Sequence, residues 1–263
     1  MIRPFEHQSA GSLREALDAV ADGAVPYAGG TELLASMKLG LLAPHRLVDL
    51  KRVPELAGIR LDGDQLIIGS GTRHAAAESD LELRHRLPML AHVLAHIGNP
   101  RVRWQGTLGG NLCFAEPRSD LAPALIALDA SLTLQSRNTD RFVKAATFVT
   151  DAFTVDRHDD ELLTEISVDT SGIVFQRYER IQLMERPTVG VALVGRSNGW
   201  RLCVGAVGYV PTWHDAHNLA DFDAAEVIAA LEPIDDAAGS AEYKRHLVGV
   251  LVRRLVAAAG SPR

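Results

Sequence analysis

Two apolar periods alternate along the chain. Leu13, Ala16, Leu17 and Val20 recur at the spacing of one helix face. Ser12 to Glu15 supplies a capping box, with Ser12 as N-cap and Glu15 three residues on, and Asp22-Gly23 ends the helix. Val25-Pro26-Tyr27 predicts a short strand that runs into Ala28-Gly29-Gly30-Thr31-Glu32. Leu33, Leu34 and Met37 mark one face of a helix directly behind it. Leu47 to Leu50 predicts another short strand. Ile59-Arg60-Leu61 and Gln65 to Ile68 flank Asp62-Gly63-Asp64, which predicts a hairpin between Gly58 and Gly71. Helices follow over Leu87 to Ile97 and Leu121 to Leu128, then a strand over Ser131 to Gln135 and further short elements between Phe142 and Ile166.

From Ile173 the pattern turns to strands. Ile173 to Tyr178 is one. Val189 to Val194 and Trp200 to Gly205 form a hairpin, and Ala206 to Pro211 reads as an extension of that sheet. Ser240 caps a long helix over Ala241 to Ala259, with Leu247, Val248, Leu251, Leu255 and Val256 as its apolar stripe. The chain therefore divides into a small α/β lobe (1–54), a mixed α+β lobe (55–170) and a C-terminal α/β lobe (171–263) with helices on one face of a sheet.

Composition narrows the function. The chain has 263 residues, 47% apolar and 23% charged, which suits a globular protein with a sizeable core. Its net charge is −6 and it holds no basic run, a surface that does not fit nucleic acid. Two cysteines, Cys113 and Cys203, are too few for an iron–sulfur cluster or a Cys₄ zinc site and do not form a disulfide framework. Met1 to His7 lacks a signal-peptide apolar region, and no apolar run reaches membrane-spanning length, so a cytoplasmic chain is expected.

The candidate chemistry lies in two glycine-rich stretches, Ala28 to Glu32 and Gly106-Thr107-Leu108-Gly109-Gly110-Asn111. Neither offers a nucleophile. A glycine pair before a helix is ordinarily a tight turn, but two such stretches in one chain can bring backbone N–H groups close to one diphosphate. Asp120, nine residues after Asn111, either N-caps the next helix or accepts hydrogen bonds from ligand hydroxyls; spacing leaves both open. Other motifs fare worse. Gly69-Ser70-Gly71-Thr72-Arg73-His74 has His74 where a dinucleotide fingerprint needs its third glycine. Gly195-Arg196-Ser197-Asn198-Gly199 matches a nucleophile elbow literally but lies between two strands, where it reads as a hairpin turn. His92 and His96 have metal-compatible spacing without the glutamate of a zinc-protease helix. Cys113 reads as a small buried filler.

Three stretches carry a family resemblance: Tyr27 to Leu34 with Met37-Lys38; Gly106 to Cys113 with Pro117 and Ser119-Asp120; and Ser240 to Leu247 with Val250-Leu251 and Arg253-Arg254. Over nearly its whole length the chain resembles the FAD-binding medium subunit of molybdenum hydroxylases, the family of carbon monoxide dehydrogenase, xanthine dehydrogenase and aldehyde oxidase. The resemblance implies a vanillyl-alcohol-oxidase-type fold in which Ala28, Gly29, Gly30, Thr31 and Glu32, with Thr107, Leu108, Gly109, Gly110 and Asn111, cradle the FAD pyrophosphate. Asp120 matches the family acid that contacts FAD hydroxyls. It further implies a large subunit holding the molybdenum cofactor, a small subunit holding two [2Fe–2S] clusters, and a heterotrimer that is usually doubled. A flavin-less scaffold subunit and an autonomous flavin oxidase are the alternatives. The chain departs from the family pattern at Trp104, where asparagine is usual, and at Ile181, where an arginine is usual. The family's later acid is Glu185, here followed by Arg186, and the segment from Trp213 to Ala238 is abbreviated.

Overall fold

The computed structural model describes residues 2–183 and 185–261, and Met1 of the N-terminal stretch lies outside them. Three main sheets follow one another along the chain. The first contains β1 (Glu6–Ser9), β2 (Val25–Tyr27) and β3 (Arg46–Asp49), parallel and ordered β1-β3-β2, with α1 (Leu13–Ala21) and α2 (Leu33–Lys38) as connections. Ser12 caps α1 by accepting the Glu15 N–H at 3.2 Å. The Glu15 carboxylate reaches past Ser12 and takes the Gly11 N–H at 2.8 Å. Strand β1 was invisible to periodicity because all four of its residues are polar and exposed.

The second sheet holds β4 (Ile59–Asp62), β5 (Gln65–Gly69), β6 (Ser131–Gln135), β7 (Asp140–Lys144) and β10 (Leu162–Asp169), ordered β4-β5-β10-β6-β7. The two-stranded ribbon β8 (Val149–Asp151) and β9 (Thr154–Val155) precedes β10. Helices α3 (His74–Ser79), α4 (Leu81–Arg86), α5 (Pro88–His96), α6 (Pro100–Gln105), α7 (Leu108–Phe114), α8 (Leu121–Ala127) and α9 (Ala145–Phe148) lie between strands of this unit. Their core is aliphatic: Leu83, Leu90, Leu94, Leu108 and Leu125 are fully buried with Leu66, Ile68, Leu132 and Ile166 of the sheet.

The third sheet is antiparallel in the order β11 (Ile173–Gln182), β12 (Pro187–Arg196), β13 (Gly199–Gly205), β14 (Thr212–Ala216). Its antiparallel pairing makes the C-terminal part α+β, not the α/β expected. Both faces of β12 are covered, which is why Val189 to Val194 reads as an unbroken apolar run. Val189, Val191 and Leu193 face α11 (Ala241–Gly260) and α10 (Ala224–Ala229) in one core, while Ala192 and Val194 join the core of the second unit beside α8. Helices therefore cover both faces rather than one. The expected strand over Ala206 to Pro211 is also absent: Ala206 takes φ +66°, which ends β13, and the sheet resumes at Thr212. No helix among the described residues is long and apolar enough to cross a membrane.

Candidate functional site

A cavity of about 600 Å³ opens where the first two units meet, and both glycine-rich stretches line it. In the first stretch, β2 delivers the chain to Ala28 and α2 carries it away. Gly30 sits at φ +71°, and the bend folds the chain so tightly that a Cβ there would lie 2.2 Å from the Tyr27 ring. Gly29 is required for a different reason. A Cβ on it would lie 2.2 Å from the Gln105 carbonyl oxygen and 2.7 Å from Gly106 Cα, so the two stretches touch backbone to backbone. The N–H groups of Ala28, Gly29, Gly30 and Thr31 meet no acceptor among the described residues. Unengaged donors in a cavity wall are the feature an anion needs.

The second stretch is built otherwise. It is not a loop, since α7 begins at Leu108 with Thr107 as N-cap, its hydroxyl accepting the Gly110 N–H at 3.1 Å. Leu108 donates to Thr72 O at 3.0 Å, Gly109 to Ser70 O at 2.8 Å and Asn111 to Thr107 O at 3.0 Å, whereas the Thr107 N–H meets no acceptor among the described residues. The N–H groups of Leu108 to Asn111 are therefore bonded within the protein, unlike those of Ala28 to Thr31. Leu108 itself is fully buried in the core and does not line the cavity, whereas Thr107, Gly109, Gly110 and Asn111 do. Gly109 serves packing, as a Cβ would lie 2.6 Å from Ser70 Cβ. Gly110 is the open one: its Cβ would meet only Thr107 Oγ1, at 2.9 Å. Asn111 accepts from the Ser119 hydroxyl at 2.7 Å, and its amide nitrogen makes no bond among the described residues.

Asp120 lines the same cavity and is 4% exposed. It does not cap α8 with its side chain. Its carboxylate instead accepts from Tyr178 Oη at 2.6 Å and pairs with Arg180. Burial pushes the Asp120 carboxyl up from the ordinary aspartate value, and Tyr178 and Arg180 oppose that push.

Several wall residues carried no signal in the sequence. Ser70, Gly71, Arg73 and His74 come from the stretch set aside as a failed fingerprint. Its real part is to pair with the second glycine stretch, His74 N–H donating to Gly106 O at 3.0 Å and Arg73 bridging Thr107. The His74 imidazole is 2% exposed and its Nδ1 has no partner. Burial, then the nearby Arg103 charge, lowers its pKa to about 4, so the ring is neutral. Arg73 and Arg118 line the cavity; Arg73 forms no salt bridge among the described residues, and the Arg118 charge helps lower the Asp236 carboxyl. Arg186 reaches Glu32 at 3.0 Å and also pairs with Glu116, tying the third unit to the first two across the cavity wall. Burial lifts the Cys113 thiol to about 11, which keeps it protonated, but Cys113 is half-buried and lines the cavity, so it is not the small buried filler expected.

The rejected motifs stay rejected. Ser197-Asn198 is the two-residue turn between Arg196 and Gly199, which pair directly. The His92 and His96 rings lie 4.4 Å apart, and His96 Nδ1 contacts His92 O at 2.7 Å. Among the described residues no group of three or more His, Cys, Asp or Glu is placed to hold a metal. Trp104 is 66% exposed and not part of the wall, and Ile181 packs into the core beside α11.

The cleft between the α/β and α+β units thus carries unengaged main-chain donors and two arginines in one wall. Comparison with known proteins names the class. Residues 3–170 match the family described as the FAD binding domain in molybdopterin dehydrogenase. The chain is 31% identical to the carbon monoxide dehydrogenase medium chain of Hydrogenophaga pseudoflava, covering 98% of each. It is 29% identical to the 6-hydroxypseudooxynicotine dehydrogenase complex subunit alpha of Paenarthrobacter nicotinovorans, covering 97% of this chain and 94% of that one. The structure of carbon monoxide dehydrogenase from Hydrogenophaga pseudoflava lacking the Mo-pyranopterin moiety superposes with a TM-score of 0.89 at 32% identity, over 98% of each chain. The chain belongs to the family of FAD-binding medium subunits of molybdenum hydroxylases.

Proposed function

We propose that this chain holds FAD in the cavity between the two glycine-rich stretches and works as the electron-transfer subunit of a molybdenum hydroxylase. The observation that carries this reading is the cavity wall itself, where the unengaged N–H groups of Ala28 to Thr31 share one space with Arg73, Arg118 and Asp120. These donors and cations suit a diphosphate, and Asp120 suits the hydroxyls of the same molecule. The chemistry that FAD supplies when bound is electron transfer, from [2Fe–2S] clusters on a small partner subunit to an external acceptor. The residues of this chain bind and orient the cofactor and shield it from water. Neutral His74 and protonated Cys113 add no charge to that wall.

The wider assignment follows from the family. The lobes are 1–54, 55–170 and 171–263, in a vanillyl-alcohol-oxidase-type arrangement. The partners are a large molybdenum-cofactor subunit and the small [2Fe–2S] subunit, as a dimer of heterotrimers in the cytoplasm. Substrate oxidation is assigned to the large subunit. Purification from the native cell, with cofactors and co-purifying chains identified together, tests this. A flavin spectrum and two partner chains are expected. A chain that stays colourless after incubation with FAD would refute the reading.

A further inference from the structure

Asp120 is an acid in an unusual position: buried, bonded to a tyrosine and an arginine, and part of the cavity wall. Its partners come from the third sheet. Tyr178 and Arg180 lie two apart on β11 and so share one face. Tyr178 Oη donates to Asp120 Oδ1 at 2.6 Å, and Arg180 donates to Oδ2. Arg180 also donates to His96 O at 3.2 Å and to the Gln182 side chain, so its guanidinium is fixed from three sides. The opposing strand is cut away to allow this. Arg180 pairs with Gly190, where a Cβ would lie 1.9 Å from Tyr178 Oη and 3.4 Å from Asp120 Oδ1. Any side chain at 190 would displace the tyrosine hydroxyl from the carboxylate.

A carboxylate has about four acceptor positions, and the protein fills one on each oxygen. A buried carboxylate with acceptor capacity left over, in the wall of a cavity, is suited to bind hydroxyls. We propose that Tyr178 and Arg180 are positioning residues that hold the Asp120 carboxylate as an ionised acceptor for hydroxyls of the bound flavin nucleotide. Both lie outside the part of the chain that matches the FAD-binding family, residues 3–170. The C-terminal sheet thereby becomes part of the cofactor site. The inference rests on the FAD reading above and adds to it the source of the Asp120 geometry.

The test is a double-mutant cycle on the full chain, with FAD and ADP affinities read by titration and folding stability measured separately. Asp120→Asn, which keeps the shape, should weaken FAD roughly tenfold or more, the usual effect of losing an acceptor charge from a hydrogen bond. Tyr178→Phe should weaken FAD about fivefold with Asp120 present, and have no further effect in the Asp120→Asn background. Arg180→Lys, which retains the charge, should keep more affinity than Arg180→Gln. Weakened ADP binding in Asp120→Asn would assign the contact to the ribose hydroxyls, and an unchanged ADP affinity would assign it to the ribityl chain. FAD affinity unchanged in Asp120→Asn, or a Tyr178→Phe effect of equal size in both backgrounds, would overturn the proposal and leave Asp120 as a tie between units. A parent chain that binds neither FAD nor ADP would overturn the flavin reading itself.

Discussion

The two glycine-rich stretches look alike as sequence and differ as structure. Ala28 to Glu32 has its N–H groups open to the cavity, whereas Leu108 to Asn111 has its own bonded to Thr72, Ser70 and Thr107. Glycine permits close approach, and the approaching group need not be a ligand. At Gly29 it is the backbone of Gln105 and Gly106, and at Gly109 it is Ser70. We propose that the first stretch is the anion grip and the second the wall against which it closes.

Substitutions separate these roles, and the largest effect is expected where backbone meets backbone. Gly29→Ala should force the two stretches apart, with a loss of about 3 kcal/mol, the upper end for overpacking. Urea denaturation of the apo chain measures this, and FAD affinity should fall with it. An apo chain as stable as the parent would disprove the contact.

A comparable cost is expected from acid at His74, which backs the second stretch. Its imidazole takes up a proton at about 4 in the folded chain and at 6.5 when free, so unfolding binds a proton throughout that window. Stability therefore falls as pH drops from 6.5 to 4, by about 3 kcal/mol from this group. Denaturation midpoints of parent and His74→Gln at pH 7 and pH 4.5 should show a shallower pH slope in the variant.

Gly109→Ala should cost about 2 kcal/mol through the Ser70 contact, yet the folded fraction should bind FAD with nearly parental affinity. That outcome marks the second stretch as wall rather than grip. The smallest effect on stability is expected for Gly110→Ala. Its gain in helix propensity, about 1 kcal/mol, offsets crowding of the Thr107 cap. Gly110→Val, which projects into the cavity, should instead block FAD without unfolding the chain.

The helices, the hairpins and both glycine stretches were readable because apolar period and turn chemistry act locally. What escaped was set by distant contacts. Strand β1 has no apolar alternation and exists because β3 pairs with it. The Ser70 to His74 segment failed as a nucleotide motif because it contributes to the cavity through pairing with Gly106 to Leu108, a relation that spacing does not encode. Asp120 was found as an acid, but neither of its two candidate roles foresaw a carboxylate held from β11. Ile181, where an arginine is usual, packs beside α11, and the neighbouring Arg180 pairs with Asp120.

Amide hydrogen exchange with and without FAD tests the division of labour most directly. The amides of Ala28 to Thr31 should exchange fast in the apo chain and become protected when FAD is added. Those of Leu108 to Asn111 should be protected already and change little. Protection that appears at 108–111 while 28–31 stays fast would contradict the account.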